Sequence, residues 1–145
     1  MTRTLTILIT LGLGATAHLL AADKKIIETK GAAAGLPFSE AIRVGDTLYV
    51  SGMQGDIPKT GKLPPSFEAE VRQCLDNIGG VLKQGGMDFK DAVAVQVYLS
   101  DIDMFPRMNE VYKTYFPVPR PTRTTVQVAR LVNNARIEIT VTARK

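Results

Sequence analysis

The sequence has 145 residues, of which 45% are hydrophobic, which is enough for one core of ordinary size and too little for two. Its formal net charge of +4 comes from Lys and Arg residues scattered along the chain, with no basic cluster that could follow a phosphate backbone, so we expect no nucleic-acid partner. Cys74 is the only cysteine in the sequence, which excludes an intrachain disulfide and a thiolate metal cluster.

Residues 1–22 have the pattern of a secretory signal peptide. Arg3 is followed by an apolar stretch and then by small residues, ahead of the charged sequence that begins at Asp23. Cleavage is expected after Ala22, with Ala17 as the alternative site. The prediction is therefore an exported protein, periplasmic or secreted.

An uncleaved membrane anchor is the alternative to a signal peptide. The apolar stretch barely reaches the roughly 20 residues that a span needs, so we expect cleavage, no stable membrane insertion afterwards and a single domain at residues 23–145. His18 is the only histidine and lies in the cleaved segment. The folded domain would then contain no histidine for a Ser-His or Cys-His pair or for a metal site.

Three short β-type runs open the predicted domain, at residues 25–29, 40–44 and 47–52. Gly45 and Asp46 separate the last two runs, which predicts a β-hairpin. A loop rich in proline and glycine follows.

Ser66 is positioned to cap the first predicted helix, which ends at Gly85 and Gly86. Apolar residues recur in it at the spacing of one helical face. They are Phe67, Val71, Leu75, Ile78 and Leu82. Cys74 lies at the border of this face, so we interpret it as a residue at the edge of the core.

Residues 92–99 alternate in the pattern of a strand, and a second helix is predicted at residues 104–116. Two further strands are predicted at residues 122–129 and 136–143. The order β-β-β-α-β-α-β-β predicts an α+β fold with two helices covering one face of a sheet.

The last two strands each carry a polar side. In the first of them, Arg123 and Thr125 share one side while Thr124 and Val126 take the other, and in the second Arg136 and Glu138 alternate with apolar residues. We expect both polar sides to look away from the helices. There they would be either exposed to solvent or covered by another subunit.

Six segments of the sequence together resemble one protein family. They are VSG at residues 50–52, PKTG at 58–61, LDNI at 75–78, MNEVY at 108–112, RPTRTTVQVARL at 120–131 and IEI at 137–139. In this order and spacing they resemble the Rid family of reactive intermediate deaminases, formerly grouped under endoribonuclease and translation-inhibitor names. The resemblance covers nearly all of residues 23–145.

The resemblance implies a chorismate-mutase-like α+β fold with a mixed β-sheet, assembled as a homotrimer with clefts between subunits and needing no cofactor or metal. It implies that Arg123 binds the carboxylate of a small 2-imino or enamine acid and that Glu138 activates a water. Ser51 and Asn109 match residues that hydrogen-bond the ligand or its water. The implied reaction is hydrolysis of the imine to a 2-keto acid and ammonia.

Two site positions differ from the family pattern. Phe38 stands where many deaminating members have tyrosine, and Thr125 stands where many have cysteine. A non-catalytic trimer that binds small carboxylates in the same cleft is therefore an alternative function. The endoribonuclease of the older family name is a third, which the absence of a basic patch and of a catalytic histidine disfavours.

Overall fold

The computed structural model describes residues 23–29, 35 and 37–145. The predicted signal peptide lies outside the described residues, and both it and the domain boundary that follows stay predictions. Within the described part of the chain, no helix has the length and apolar character that crossing a bilayer requires.

One mixed sheet of six strands carries the fold, with the spatial order β1-β2-β3-β6-β4-β5. The strands are β1 Lys24–Ile27, β2 Ala41–Val44, β3 Thr47–Gln54, β4 Ala92–Leu99, β5 Thr122–Gln127 and β6 Ile137–Arg144. Neighbouring strands are antiparallel except for β4 and β5, which are parallel. A parallel pair needs a long crossover connection, and here that connection contains the second helix.

Two helices, α1 Phe67–Gln84 and α2 Phe105–Tyr112, lie on one face of the sheet. Ser66 caps α1 as predicted, because its hydroxyl accepts a hydrogen bond from the Ala69 N–H at 3.3 Å. The second helix ends at Tyr112 instead of Phe116, and hydrogen-bonded turns follow it up to Phe116, whose ring stacks on that of Tyr112 with centroids 4.2 Å apart. The predicted α+β fold is confirmed.

The core fills the space between α1 and the three central strands. The predicted apolar face of α1 is almost completely buried there, against inward-facing residues of the sheet. These are Leu48, Val50, Val95, Val97, Ile137, Ile139 and Val141. Cys74 is fully buried among them instead of lying at the edge of the core, and its thiol lies 3.1 Å from the carbonyl oxygen of Met53. Burial raises the pKa of this thiol far above its ordinary value.

The prediction that both polar strand sides look away from the helices is wrong for β5. Directly paired residues of neighbouring strands point to the same face of a sheet. Arg123 pairs with Val95 and therefore points to the face that the helices cover. Glu138 pairs with Tyr98 and points to the opposite, open face, as predicted.

Arg136 also departs from its predicted place on the polar side of β6. Its backbone N–H and its Nε donate to the carboxylate of Glu70, a residue of α1 that is fully buried. Its other guanidinium nitrogens donate to the carbonyl oxygens of Pro64 and Pro65. This ion pair joins the first turns of α1, the preceding loop and the start of β6.

Removing Arg136 would leave the Glu70 carboxylate buried without its cation, which is the costly way to break a buried pair. We expect Arg136→Ala to lower the free energy of unfolding by about 3 kcal/mol, measured by urea denaturation. The control is Arg107→Ala, which removes an exposed ion pair with Glu68 and should change stability little. Equal midpoints for the two variants would contradict the proposed anchoring role.

Candidate functional site

Glu138 lies on the open face of the sheet and is held by its neighbour on β3. Gln54 is the residue paired with it, and the Gln54 amide Nε2 donates to Glu138 Oε2 at 2.8 Å. On the other side, Gly52 leaves the space that the carboxylate occupies, since a Cβ at this position would lie 2.3 Å from Glu138 Oε1. The carboxylate is thus positioned and only half-buried.

The predicted site residue Ser51 lies on β3, as Gln54 does, and the predicted site residue Phe38 lies in the segment that precedes β2. The Ser51 hydroxyl donates to the carbonyl oxygen of Ser39 at 2.7 Å, so it fastens the segment that carries Phe38 to β3. Phe38 itself is 56% exposed, which is unusual for so large an apolar side chain. The β3 and β6 side of the molecule therefore combines an oriented carboxylate with an exposed aromatic ring.

Arg123 lies on β5, which forms the edge of the sheet opposite to β1. Its guanidinium stacks on the ring of Tyr112, with its carbon 4.5 Å from the ring centroid, and lies 5.3 Å from that of Phe105. Its Nη1 is 4.0 Å from the sulfur of Met108. These contacts with α2 fix the plane of the guanidinium and leave its donors without a carboxylate partner among the described residues.

An open pocket of about 470 Å³ lies beside Arg123. Its lining comes from α2, from the loop after it and from β5. The lining residues are Asn109, Tyr112, Lys113, Arg120, Pro121 and Arg123. The structure thus brings the predicted site residues Asn109 and Arg123 together.

Two buried hydroxyls on this side form no hydrogen bond with any described residue, those of Tyr112 and Thr125. Thr125 is two residues after Arg123 on the same face of β5. Burial raises the pKa of Tyr112 to about 12, while the guanidiniums of Arg123 and Arg120 act in the opposite direction. The Tyr112 hydroxyl therefore remains protonated at neutral pH and can donate a hydrogen bond.

Within one chain, Arg123 and Glu138 cannot contact the same small molecule. They lie on opposite faces, two strands and three residue positions apart. With strands about 4.8 Å apart and a rise of about 3.3 Å per residue, their Cα atoms are separated by about 10 Å across the sheet and about 10 Å along it. The six predicted site residues thus form two groups, one around Glu138 and one around Arg123.

Several residues at these two groups were not identified from the sequence as site residues. Tyr112 and Phe105 recur at the spacing of an apolar helical face, and that spacing gives no sign that a guanidinium stacks on them. Gln54 and Gly52 face Glu138 only because of the β3 to β6 pairing register. In the described part of the chain, no three His, Cys, Asp or Glu side chains are grouped closely enough to hold a metal ion.

The family model described as endoribonuclease L-PSP matches residues 29–145. This range includes all the residues of both groups. The chain belongs to the Rid family. The resemblance in the sequence motifs is thereby confirmed, and the older family name describes the same fold and motifs.

Relatives of this Rid protein include named deaminases. The chain is 42% identical over 118 residues to the 2-iminobutanoate/2-iminopropanoate deaminase of Mus musculus, covering 80% of this chain and 87% of the mouse protein. It is also 42% identical to the chloroplastic Reactive Intermediate Deaminase A of Arabidopsis thaliana over 80% of its own length, but spans only 63% of that protein.

Solved structures support the same assignment. A crystal structure of a Rid family protein from Yersinia pestis superimposes with a TM-score of 0.80 at 36% identity, covering 85% of this chain and all of that one. A mixed sheet with two helices on one face is therefore a shared framework. The names of the relatives support imine deaminase activity for the family without assigning roles to residues.

The close approach of Gly52 to Glu138 can be tested by comparing a Gly→Ala substitution at this position with one at Gly80. Gly52→Ala places a methyl group against the Glu138 carboxylate, and we expect a loss of about 1–3 kcal/mol in the free energy of unfolding. Gly80→Ala, within α1, meets only a Thr29 methyl group at 3.9 Å and should stabilise the protein by about 0.5–1 kcal/mol. Chemical denaturation measures both, and a Gly52→Ala variant as stable as the wild type would show that Glu138 is free to move aside.

Proposed function

We propose that this Rid protein hydrolyses small 2-imino or enamine acids to 2-keto acids and ammonia, with the carboxylate bound by Arg123 and the water activated by Glu138. The observation that carries the proposal is the Arg123 guanidinium, which is stacked on two aromatic rings beside an open pocket and has no carboxylate partner among the described residues. The names of the mouse and Arabidopsis relatives support the same reaction.

Arg123 suits a carboxylate because a guanidinium offers two parallel N–H donors to its two oxygens. The rings of Tyr112 and Phe105 hold the guanidinium in place, so little conformational entropy is lost when a ligand binds. Asn109, in the same pocket, supplies an amide for the rest of the ligand, and Thr125 offers its unpaired hydroxyl nearby.

Glu138 suits the proton-acceptor role because Gln54 already orients one of its carboxylate oxygens. The carboxylate accepts a proton from water as the water oxygen bonds to the carbon of the protonated imine and the C=N π electrons move to nitrogen. The resulting carbinolamine carries a hydroxyl and an amino group on one carbon. The Glu138 carboxyl then gives its proton to the amino nitrogen, ammonia leaves with the C–N bonding electrons, and the hydroxyl proton passes to the Glu138 carboxylate and on to solvent, which leaves the 2-keto acid.

The reaction requires two copies of the chain, since Arg123 and Glu138 lie on opposite faces. Three large apolar side chains are exposed on the open face of the sheet, namely Ile26, Tyr49 and Val126. A second copy that covered this face would bury them and bring its own Arg123 pocket towards Glu138. We propose a homotrimer, in which closed symmetry repeats this contact three times and leaves no open face.

Ser51 and Phe38 would then lie on the Glu138 side of each cleft, where the exposed Phe38 ring packs against the ligand or the second copy. Phe38 has no hydroxyl for the ligand, so binding on this side depends on shape and apolar contact. Export of the mature trimer, to the periplasm or beyond, is part of the proposal and rests on the sequence of residues 1–22.

Arg123→Ala removes two charge-assisted hydrogen bonds to the carboxylate, so we expect KM for an imino acid to rise by about tenfold to a hundredfold. The imine can be generated in the assay by an amino acid oxidase, with release of ammonia as the readout. Arg72→Ala, on the exposed side of α1, is the matched control and should leave KM unchanged. Unaltered affinity of Arg123→Ala for a 2-keto acid in calorimetry would refute the carboxylate role.

Glu138→Gln keeps the size of the side chain and removes the proton acceptor. We expect kcat to fall by roughly a hundredfold to a thousandfold while KM changes little, because the substrate carboxylate is held elsewhere. Glu28→Gln, an exposed change of the same kind, is the control. Full activity of Glu138→Gln would refute the water-activating role of Glu138. Binding of 2-keto acids by a wild type that hydrolyses no imine would instead favour the non-catalytic binding function.

Mixing the two inactive variants tests whether each site is shared between copies. If Arg123 comes from one subunit and Glu138 from the next, co-refolding Arg123→Ala with Glu138→Gln in equal amounts should restore activity to about a quarter of the wild-type rate. Light scattering on the mixture should give the mass of a trimer. If one chain supplied both residues, every site in the mixture would stay defective.

A further inference from the structure

Two arginines and a residue with a buried hydroxyl together line the pocket beside Arg123. Arg120 and Arg123 stand at the two ends of the four-residue segment 120–123 and both line the pocket, and both act to lower the pKa of Tyr112 against the effect of burial. Tyr112 is only 3% exposed, yet its hydroxyl forms no hydrogen bond within the described part of the chain. A buried donor flanked by two cations is the arrangement that an anion satisfies.

The pocket carries more positive charge than one bound carboxylate would neutralise. Neither Arg120 nor Arg123 forms an ion pair with any described carboxylate. Lys113 also lines the pocket, but its ammonium binds Glu110 at 2.5 Å, so its charge is already offset. One guanidinium therefore remains after Arg123 has bound a substrate carboxylate.

The backbone around Arg120 is restricted on both sides. Pro119 precedes it and Pro121 follows it, and a residue before proline is confined largely to extended conformations. β5 begins at Thr122, directly after Pro121, so the short segment between Arg120 and Arg123 is extended. Arg120 is exposed, but its main chain is held at the rim of the pocket, which lowers the entropy lost on binding.

We propose that this pocket selects dicarboxylic 2-imino acids, with the α-carboxylate on Arg123 and the second carboxylate on Arg120 and the Tyr112 hydroxyl. The imines of aspartate and glutamate are the simplest molecules of this class. The proposal rests on the proposed function for the reaction itself and adds the substrate class. It makes Arg120 a residue that determines specificity, whereas Arg123 serves every substrate.

The test compares two imines on the wild type and on Arg120→Gln. A monocarboxylic imine is generated from alanine and a dicarboxylic imine from aspartate, each by an oxidase specific for that amino acid. We expect the wild type to have a kcat/KM at least about tenfold higher for the dicarboxylic imine, because one further charge-assisted hydrogen-bonded contact is made. Arg120→Gln should lose this preference and keep its rate on the monocarboxylic imine.

Arg72→Gln is the matched control, since it removes an exposed guanidinium outside the pocket and should keep the preference. Tyr112→Phe should reduce the preference without removing the ring on which Arg123 stacks. Light scattering is measured on each variant. If Arg120→Gln does not assemble, Arg120→Lys, which keeps the charge but not the planar fork, should assemble and show a reduced preference.

Calorimetry separates this proposal from the proposed reaction. Oxaloacetate and pyruvate are the keto products of the two imines, and we expect oxaloacetate to bind the wild type at least about tenfold more tightly. If this preference holds and no imine is hydrolysed, the reaction is wrong and the selectivity of the pocket stands. The contrary result is that Arg120→Gln changes kcat/KM for both imines equally, or for neither, while the wild type hydrolyses monocarboxylic imines. That result overturns the dicarboxylate proposal and leaves the deaminase function standing.

Discussion

The parallel pairing of β5 with β4 decides on which face of the sheet Arg123 lies. Its register sets Arg123 opposite Val95, on the face that the helices cover, whereas the antiparallel pairing of β6 with β4 sets Glu138 on the open face. A shift of one residue in the β4 to β5 register would turn Arg123 to the other face. Within one chain, the backbone hydrogen bonds of the sheet therefore hold the two predicted catalytic residues, Arg123 and Glu138, on opposite faces.

A guanidinium on the helix side of a sheet would be costly in the centre of a core. Here the cost is reduced because β5 is an edge strand and α2 is only two turns long, so Arg123 reaches the rim, where aromatic faces of α2 support it. The same edge position leaves a pocket open towards solvent or a second chain. The contacts with α2 that stabilise Arg123 are thus also the ones that orient it for the proposed ligand.

The ion pair between Glu70 and Arg136 stabilises the start of the strand that carries Glu138. Arg136 precedes β6 by one residue, and its bond to a buried carboxylate of α1 fixes the point at which that strand starts. Glu138 follows two residues later and is oriented by Gln54. The position of a candidate catalytic carboxylate therefore depends on an ion pair between a buried carboxylate and a partly buried guanidinium that belong to neither group of predicted site residues.

The sequence by itself determined the order and type of the elements, the capped face of α1, the family and the residue types suited to an imino acid. These follow from local periodicity, capping and short motifs, which depend on neighbours along the chain. It could not determine which face of β5 meets the helices, because an edge strand with alternating polar residues suits either face. It gave no sign of the bonds from Gln54 to Glu138 and from Arg136 to Glu70, or of the two arginines around Tyr112. Only the tertiary structure decided these, because strand pairing and helix packing join residues that lie far apart in the sequence.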